Sequence, residues 1–422
     1  MSGWGYMSFL QRNFALLSIF GFYGLFSSMI PSSFGAVDAI IALFLVMLCW
    51  KGFFSTLDIA KGNRWSGPQY VKWSLIYLVM AGCFRTDFGE VTTLDVIRDL
   101  FPLAFLYIPI LVNKRFLAQP IMSLRILCVC IAFVGCSMTI RHFMGSSGSM
   151  SDLGTGLVFI DEGISLGHDP TVAFTAILFA MLAVHQFCKL HMFYGMVCCS
   201  ISAIPTLAMI GTVARGPLAL LLVAVVIALV RNAKIRLGSI IVLPLIGVGA
   251  WLVLNQFDYF FESTLNLIIQ KTQNSMSTRE LENLAVLRSV FSDTTTLLFG
   301  SGWGARIESP LGGEKTYVHN LYLYILFKTG SLGLIALLSY AIWIAKLTTS
   351  SIRFMSWFQF SASVSATSVL VINSFFEVGF KTIMFGFILT VLLLAALAAQ
   401  DMKARNIQSS DNSISGTQSE SE

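Results

Sequence analysis

Apolar runs of about 16 to 25 residues recur along this chain, and a helix of that length crosses the ~30 Å hydrocarbon layer of a bilayer. Lipid offers no hydrogen-bond partner, so each run has to satisfy its own backbone N–H and C=O groups, which a helix does alone. A barrel would instead show short strands of alternating hydropathy, and the runs do not alternate. Composition points the same way. Of 422 residues, 56% are hydrophobic and 12% charged, about half the ~25% charged share of soluble domains. The expected fold class is therefore all-α, a polytopic membrane protein. A soluble enzyme, a secreted disulfide scaffold and a β-barrel are excluded.

Twelve spans are expected, at residues 14–30, 36–50, 73–84, 96–112, 121–140, 170–188, 192–212, 217–230, 238–254, 321–345, 357–376 and 379–399. Phe14 to Ile30 follows few positive charges and ends at Pro31-Ser32-Ser33, which reads as an uncleaved first helix. Lys and Arg crowd alternate short gaps, including Lys51, Lys61, Arg64, Lys72, Lys114, Arg115, Arg125, Lys189, Arg231, Lys234, Arg236, Lys346 and Arg353. That bias places those gaps and both termini in the cytoplasm. The gap 85–99 carries Asp87, Glu90, Asp95 and Asp99 beside Arg85 and Arg98, and belongs outside. Ionisable residues are expected at span ends and in one outer loop, with the apolar runs nearly free of charge.

Four regions follow. Residues 1–254 hold spans one to nine, 255–320 a periplasmic loop domain, 321–400 spans ten to twelve, and 401–422 a disordered, solvated cytoplasmic tail. A second outer loop, Arg141 to Asp169, is rich in Gly and Ser and is expected to be mobile, with His142 and His168 in it. Loops as long as 255–318 are uncommon without a function. Within it, Arg279 to Phe291 has apolar residues at Leu281, Leu284, Leu287 and Phe291, the pattern of an amphipathic helix. Ser277 and Thr278, ahead of Glu280 and Glu282, are expected to cap it.

The net charge of +5 lies in the gaps that orient the chain, which argues against nucleic acid as a partner. Eight cysteines lie in or beside apolar runs, with no CxxC pair, so neither a disulfide framework nor a zinc site is expected. HExxH, Walker and metal-binding aspartate motifs are missing from the sequence.

Candidate chemistry collects around the long outer loop. Arg215 precedes Gly216-Pro217 at the start of the eighth span, and proline suits a first helical turn. A helix N-terminus favours an anion, and Arg adds a bidentate phosphate fork; the competing role is an anchor among lipid headgroups. His319 sits where the loop re-enters the membrane, able to take a proton from a hydroxyl near neutral pH; the competing role is a structural hydrogen bond to loop backbone. Arg279 and Arg288 lie nine residues apart, on opposite faces of a helix, so one of them points into a shared site.

Three pieces, in order, resemble the O-antigen ligase and polysaccharide polymerase superfamily of bacterial inner membranes. They are Ala214-Arg215-Gly216-Pro217-Leu218; Ser277-Thr278-Arg279-Glu280 followed by Phe299-Gly300-Ser301-Gly302-Trp303-Gly304; and His319-Asn320 with Leu323, Gly330 and Gly333 behind it. The resemblance covers a little over a quarter of the chain, and Pro217 departs from the small residue usual after Arg-Gly. It implies a glycosyltransferase that works at the periplasmic face without a nucleotide sugar, metal or other cofactor. Its donor would be a glycan on undecaprenyl diphosphate. Arg215 and Arg279 would hold the diphosphate, His319 would activate the acceptor hydroxyl, and Arg288 and Asn320 are secondary candidates.

The expected function is a polysaccharide polymerase, acting on O-antigen or exopolysaccharide, that transfers a glycan from undecaprenyl diphosphate onto a lipid-linked repeat unit. The first alternative is an O-antigen ligase with a lipid A-core acceptor, and the second a flippase for lipid-linked glycans. Expected partners are undecaprenyl-diphosphate-linked glycans and membrane lipids, with a chain-length regulator or a flippase as candidate proteins.

Overall fold

The computed structural model describes residues 14–27, 36–57, 69–87, 91–112, 119–145, 166–212, 214–232, 279–308, 314–315, 318–376 and 378–418. Over these residues the protein is a helical bundle. Its only strand pairing among the described residues is a two-residue antiparallel bridge, β1 (Ile307–Glu308) with β2 (Glu314–Lys315). The helices are α1 (Phe14–Phe26), α2 (Ala36–Leu57), α3 (Gln69–Arg85), α4 (Thr93–Leu106), α5 (Ile108–Leu111), α6 (Pro120–Gly145), α7 (Pro170–Cys188), α8 (Met192–Gly211) and α9 (Arg215–Asn232). They continue as α10 (residues 279–290), α11 (Thr294–Phe299), α12 (Leu321–Ser351), α13 (Trp357–Phe375) and α14 (Ile383–Gln418).

Five stretches among the described residues are long and apolar enough to cross a membrane: Pro120–Met144, Pro170–Cys188, Met192–Ile210, Leu321–Phe354 and Ile383–Ala404. Phe14–Phe26, Ala36–Trp50 and Gly216–Asn232 are apolar but shorter. Helices occupy the other expected positions too, except 238–254, which lies outside the described residues. The expected span 96–112 is broken rather than continuous. Tyr107 leaves helical geometry (φ −99°, ψ 6°), and Pro109 sits in the first turn of α5, because its ring would clash with the carbonyl four residues back.

Local sequence sets the ends of the central helices. Asp169 caps α7 by accepting from the Thr171 N–H at 2.9 Å, and Pro170 fills the first helical position. Buried Asp169 also accepts from the Tyr23 hydroxyl at 2.8 Å, tying α1 to α7. Ser356 and Gln359 form a reciprocal capping box at the start of α13. α7 packs against α6, α8, α9 and α13, while α14 packs against α6, α12 and α13. α14 is central, with 89% of its apolar window buried, and α8 is peripheral at 28%.

α14 runs from Ile383 through Gln418; between Gly386 and Gly416 it meets neither Pro nor Gly, so nothing interrupts the i→i−4 ladder. Two expectations change here. His142 belongs to α6 and is buried rather than lying in a mobile loop; His168 sits in a turn at 166–168, and the rest of that loop, 146–165, is outside the described residues. The apolar runs also contain charge. Lys328, inside Leu321–Phe354, is 0% exposed.

The two ends of the bundle differ chemically. At one, the His185 Nδ1 lies 2.9 Å from the Asn232 side-chain oxygen, the His185 ring stacks on Trp357, and the Arg231 guanidinium sits 3.8 Å from the Phe360 ring centre. Lys403 stands over Phe354 at this end. At the other, the end of α3 and the start of α4 meet residues 300–306. The Arg85 Nε donates to the Gly300 carbonyl (3.2 Å), the Thr86 hydroxyl to the Trp303 carbonyl (3.1 Å), and Arg306 pairs with Asp95 at 3.0 Å.

Candidate active site

The site is built where α10 lies against the start of α12. Glu282, Val286 and Val290 recur every four residues and so share one helix face; all three are buried. The two valines pack with Ile307, Val318, Leu326 and Phe327. The helix is where the sequence places it, but the expected apolar stripe is not the one that packs. Leu287 is partly buried, whereas Leu281, Leu284 and Phe291 are exposed. A carboxylate tolerates burial when it gains a partner, and Glu282 has one. Residues 277 and 278, expected as the cap, lie outside the described residues.

That partner is His319. Its Nδ1 stands 2.9 Å from the Glu282 Oε2, with the imidazole about a quarter exposed and the carboxylate 6% exposed. A carboxylate can only accept, so Nδ1 donates, and in that tautomer Nε2 carries the basic lone pair. The next residue fixes the histidine from below. The Asn320 side-chain oxygen accepts from the Tyr322 and Leu323 N–H groups at 2.9 and 3.1 Å, capping α12. Asn320 thus acts on the site through the backbone.

Arg279 precedes Glu282 by three residues, which on a helix places it on the same side, and it is half-buried. Arg288, nine residues on, is exposed and belongs to the opposite face. Arg215 is the first residue of α9, where Pro217 puts it. A Cβ on Gly216 would meet Ile372 Cδ1 at 2.8 Å, so α9 begins against the last turn of α13. The same turn receives the start of α12, because the Phe375 ring lies 4.8 Å from that of Tyr322. Hence His319, Glu282 and the Arg279 face come together, α9 begins against the same end of α13 that Tyr322 of α12 meets, and Arg288 lies on the opposite face of α10.

A glycine-rich loop holds this corner in place. α12 kinks at Gly330, whose φ of 72° and ψ of −172° lie where only glycine is unstrained. A kink of that kind frees carbonyls in the turn before it. The loop fills them: Ser301 N–H donates to the Phe327 carbonyl at 2.8 Å, and Gly302 N–H to the Lys328 carbonyl at 3.0 Å. Buried Trp303 plugs into α3, its indole N–H donating to the Val79 carbonyl at 3.3 Å. Gly304 N–H donates to Asp99 Oδ2 at 2.8 Å. The same Oδ2 receives the Lys328 ammonium at 2.5 Å, and Lys328 donates also to the Ala305 carbonyl at 2.6 Å. The loop is structural in this arrangement, an anchor between α3, α4 and α12.

Beside it, the Thr92 hydroxyl caps α4 by accepting from the Asp95 N–H (3.2 Å), and the Asp95 carboxylate pairs with Arg98 (2.6 Å) and Arg306 (3.0 Å). The Thr92 hydroxyl bonded to it, then the two guanidinium groups, hold its carboxyl below the usual carboxylate range.

Sequence reasoning missed Glu282 as a partner, and Asp99 and Lys328 as a pair. Lys328 carried a signal: an ammonium inside an apolar run requires a buried counter-charge. Glu282 carried none beyond its place in an amphipathic helix. Among the described residues no three His, Cys, Asp or Glu side chains gather as a metal site, and all eight cysteines are free thiols. The chain matches no protein-family model, and no curated protein matches it at a significant level.

Proposed function

We propose that this is a membrane glycosyltransferase of the polysaccharide polymerase kind, taking its donor glycan from undecaprenyl diphosphate at the periplasmic face. The single observation that carries the reading is the His319–Glu282 pair, a partly exposed imidazole oriented by a buried carboxylate. A hydrogen-bonded carboxylate fixes the tautomer and stabilises the imidazolium once Nε2 has taken a proton, as in hydrolase triads. In the proposed step the acceptor hydroxyl oxygen attacks the anomeric carbon of the donor. Its proton passes to His319 Nε2, the bond from that carbon to the phosphate oxygen breaks, and undecaprenyl diphosphate leaves. Charge builds on the leaving diphosphate, and Arg215 and Arg279 would receive it.

In this reading the protein is a bacterial inner-membrane enzyme of twelve spans, with the basic end of the bundle and both termini in the cytoplasm and residues 255–320 in the periplasm. The enrichment of Lys and Arg in the gaps at that end supports the orientation. The ligase reading shares the donor and the base and differs in the acceptor, lipid A-core. A transporter reading draws on a different observation, the buried Asp99–Lys328 pair among the helices, since ionisable groups there often line a path.

Surface and lipid-linked glycans from a deletion strain carrying wild type, His319→Ala or Arg215→Ala separate the three. Single repeat units on their normal acceptor, with no ladder, identify a polymerase. Full-length ladders that accumulate on undecaprenyl diphosphate and never reach lipid A-core identify a ligase. A normal glycan profile with His319→Ala overturns the catalytic reading and favours the transporter.

A further inference from the structure

The face of α10 opposite Glu282 carries Leu281, Leu284, Arg288 and Phe291, which follow one another at helical spacings of three and four. The three apolar side chains are 44%, 48% and 66% exposed. A helix of a soluble domain turns such a stripe inward, and here the inward place is taken by Glu282, Val286 and Val290. The stripe does not stand alone. Leu298 and Phe299 of α11 are exposed as well, and α11 touches the kink of α12, where a Cβ on Gly330 would run into the Leu298 carbonyl oxygen. Beyond the kink, α12 continues as a candidate membrane span with Ile335 and Ile342 outward. Exposed apolar surface therefore runs from the outer face of a span, across α11, to the outer face of α10. One cation, Arg288, interrupts the apolar stripe of α10.

We infer that α10 is an interfacial helix whose Leu281, Leu284 and Phe291 face lies in the membrane, at the boundary between lipid headgroups and acyl chains. An apolar stripe continuous with a lipid-facing span fits that boundary and no aqueous surface, and an Arg within it reaches the lipid phosphates while its stem stays among the chains. Because Glu282 projects from the other side of the same helix, the membrane surface would set the depth of the Glu282–His319 pair. The inference stands on the exposed stripe and is independent of whether His319 acts as a base.

The test uses the full chain in vesicles of phosphatidylethanolamine and phosphatidylglycerol, with the photo-crosslinker benzoylphenylalanine in place of Leu284 or Phe291. After irradiation, mass spectrometry of the digested protein identifies what each position has captured. Lipid adducts as the main photoproduct at both positions are the expected result. Adducts to another stretch of the same chain, a crosslinked dimer, or no lipid adduct would each overturn the proposal. Should the Leu284 variant elute as aggregate in detergent, Phe291, an aromatic exchanged for an aromatic, decides alone.

Discussion

Glu282 is a carboxylate withdrawn from water, a cost that its 2.9 Å hydrogen bond to His319 helps offset. If the histidine is a general base, the two residues fail differently. His319→Ala removes the base, and loss of polymer formation by about 10²–10⁴-fold is expected. Glu282→Gln keeps the shape but withdraws the charge that supports the imidazolium, and a loss of about 10–100-fold is expected, typical of a partner that orients a histidine. Initial rates of glycan extension in membranes, with protein amounts matched, measure both; equal rates for Glu282→Gln and wild type would end the dyad argument. Asp95 shows the electrostatics of the neighbouring corner in a stability measurement. Its folded carboxyl lies below the ordinary value, so its contribution is complete above about pH 4 and is lost as pH falls through the lowered folded value. The melting temperature of purified protein is expected to fall as the pH drops below about 4, and to fall less in Asp95→Asn.

Helices in this protein are shaped as much by partners as by propensity. α12 reads as one long apolar run, yet it kinks at Gly330 because the loop 300–304 supplies N–H donors to the carbonyls before the kink. Gly330→Ala would force a side chain into a glycine-only backbone conformation and against the Leu298 carbonyl. A cost above about 1–3 kcal/mol is expected, read as a lower melting temperature and less folded protein in the membrane. The Asp99–Lys328 pair crosses the same junction. Lys328→Met alone leaves a buried carboxylate without its cation and is expected to cost about 3–5 kcal/mol. The double variant Asp99→Leu with Lys328→Met is expected to recover much of that loss, because replacing both members of a buried pair by apolar groups is often neutral. If the pair serves transport and not packing, the double variant will be stable yet inactive.

On the scale of the bundle, the acidic gap 85–99 and the glycine-rich loop meet at one end, and Arg231, His185 and Lys403 gather at the other. The sequence gaps at the second end also hold Lys189, Lys346 and Arg353, and a Lys/Arg bias of the short gaps is what orients a polytopic chain. With Cys199 changed to Ser, Ser292→Cys is therefore expected to react with a membrane-impermeant maleimide in cells whose outer membrane is permeabilised. Lys346→Cys should react only once the inner membrane is broken. The reverse pattern would overturn the proposed orientation.

The sequence alone was sufficient for the features that depend on periodicity and local chemistry. Runs of apolar residues predict membrane-crossing helices, Pro217 marks the start of α9, and the spacing around Leu281 predicts the helix α10. Which side of α10 would be buried was not legible, because beside a bilayer an apolar stripe has two low-energy destinations, the protein core and the lipid. Nor could local pattern join Glu282 to His319, Asp99 to Lys328, or the Ser301 amide to the Phe327 carbonyl. Those pairings link residues 37, 229 and 26 positions apart, and their strength comes from burial: a polar group removed from water must find a partner, and only the packed tertiary structure determines which one is within reach.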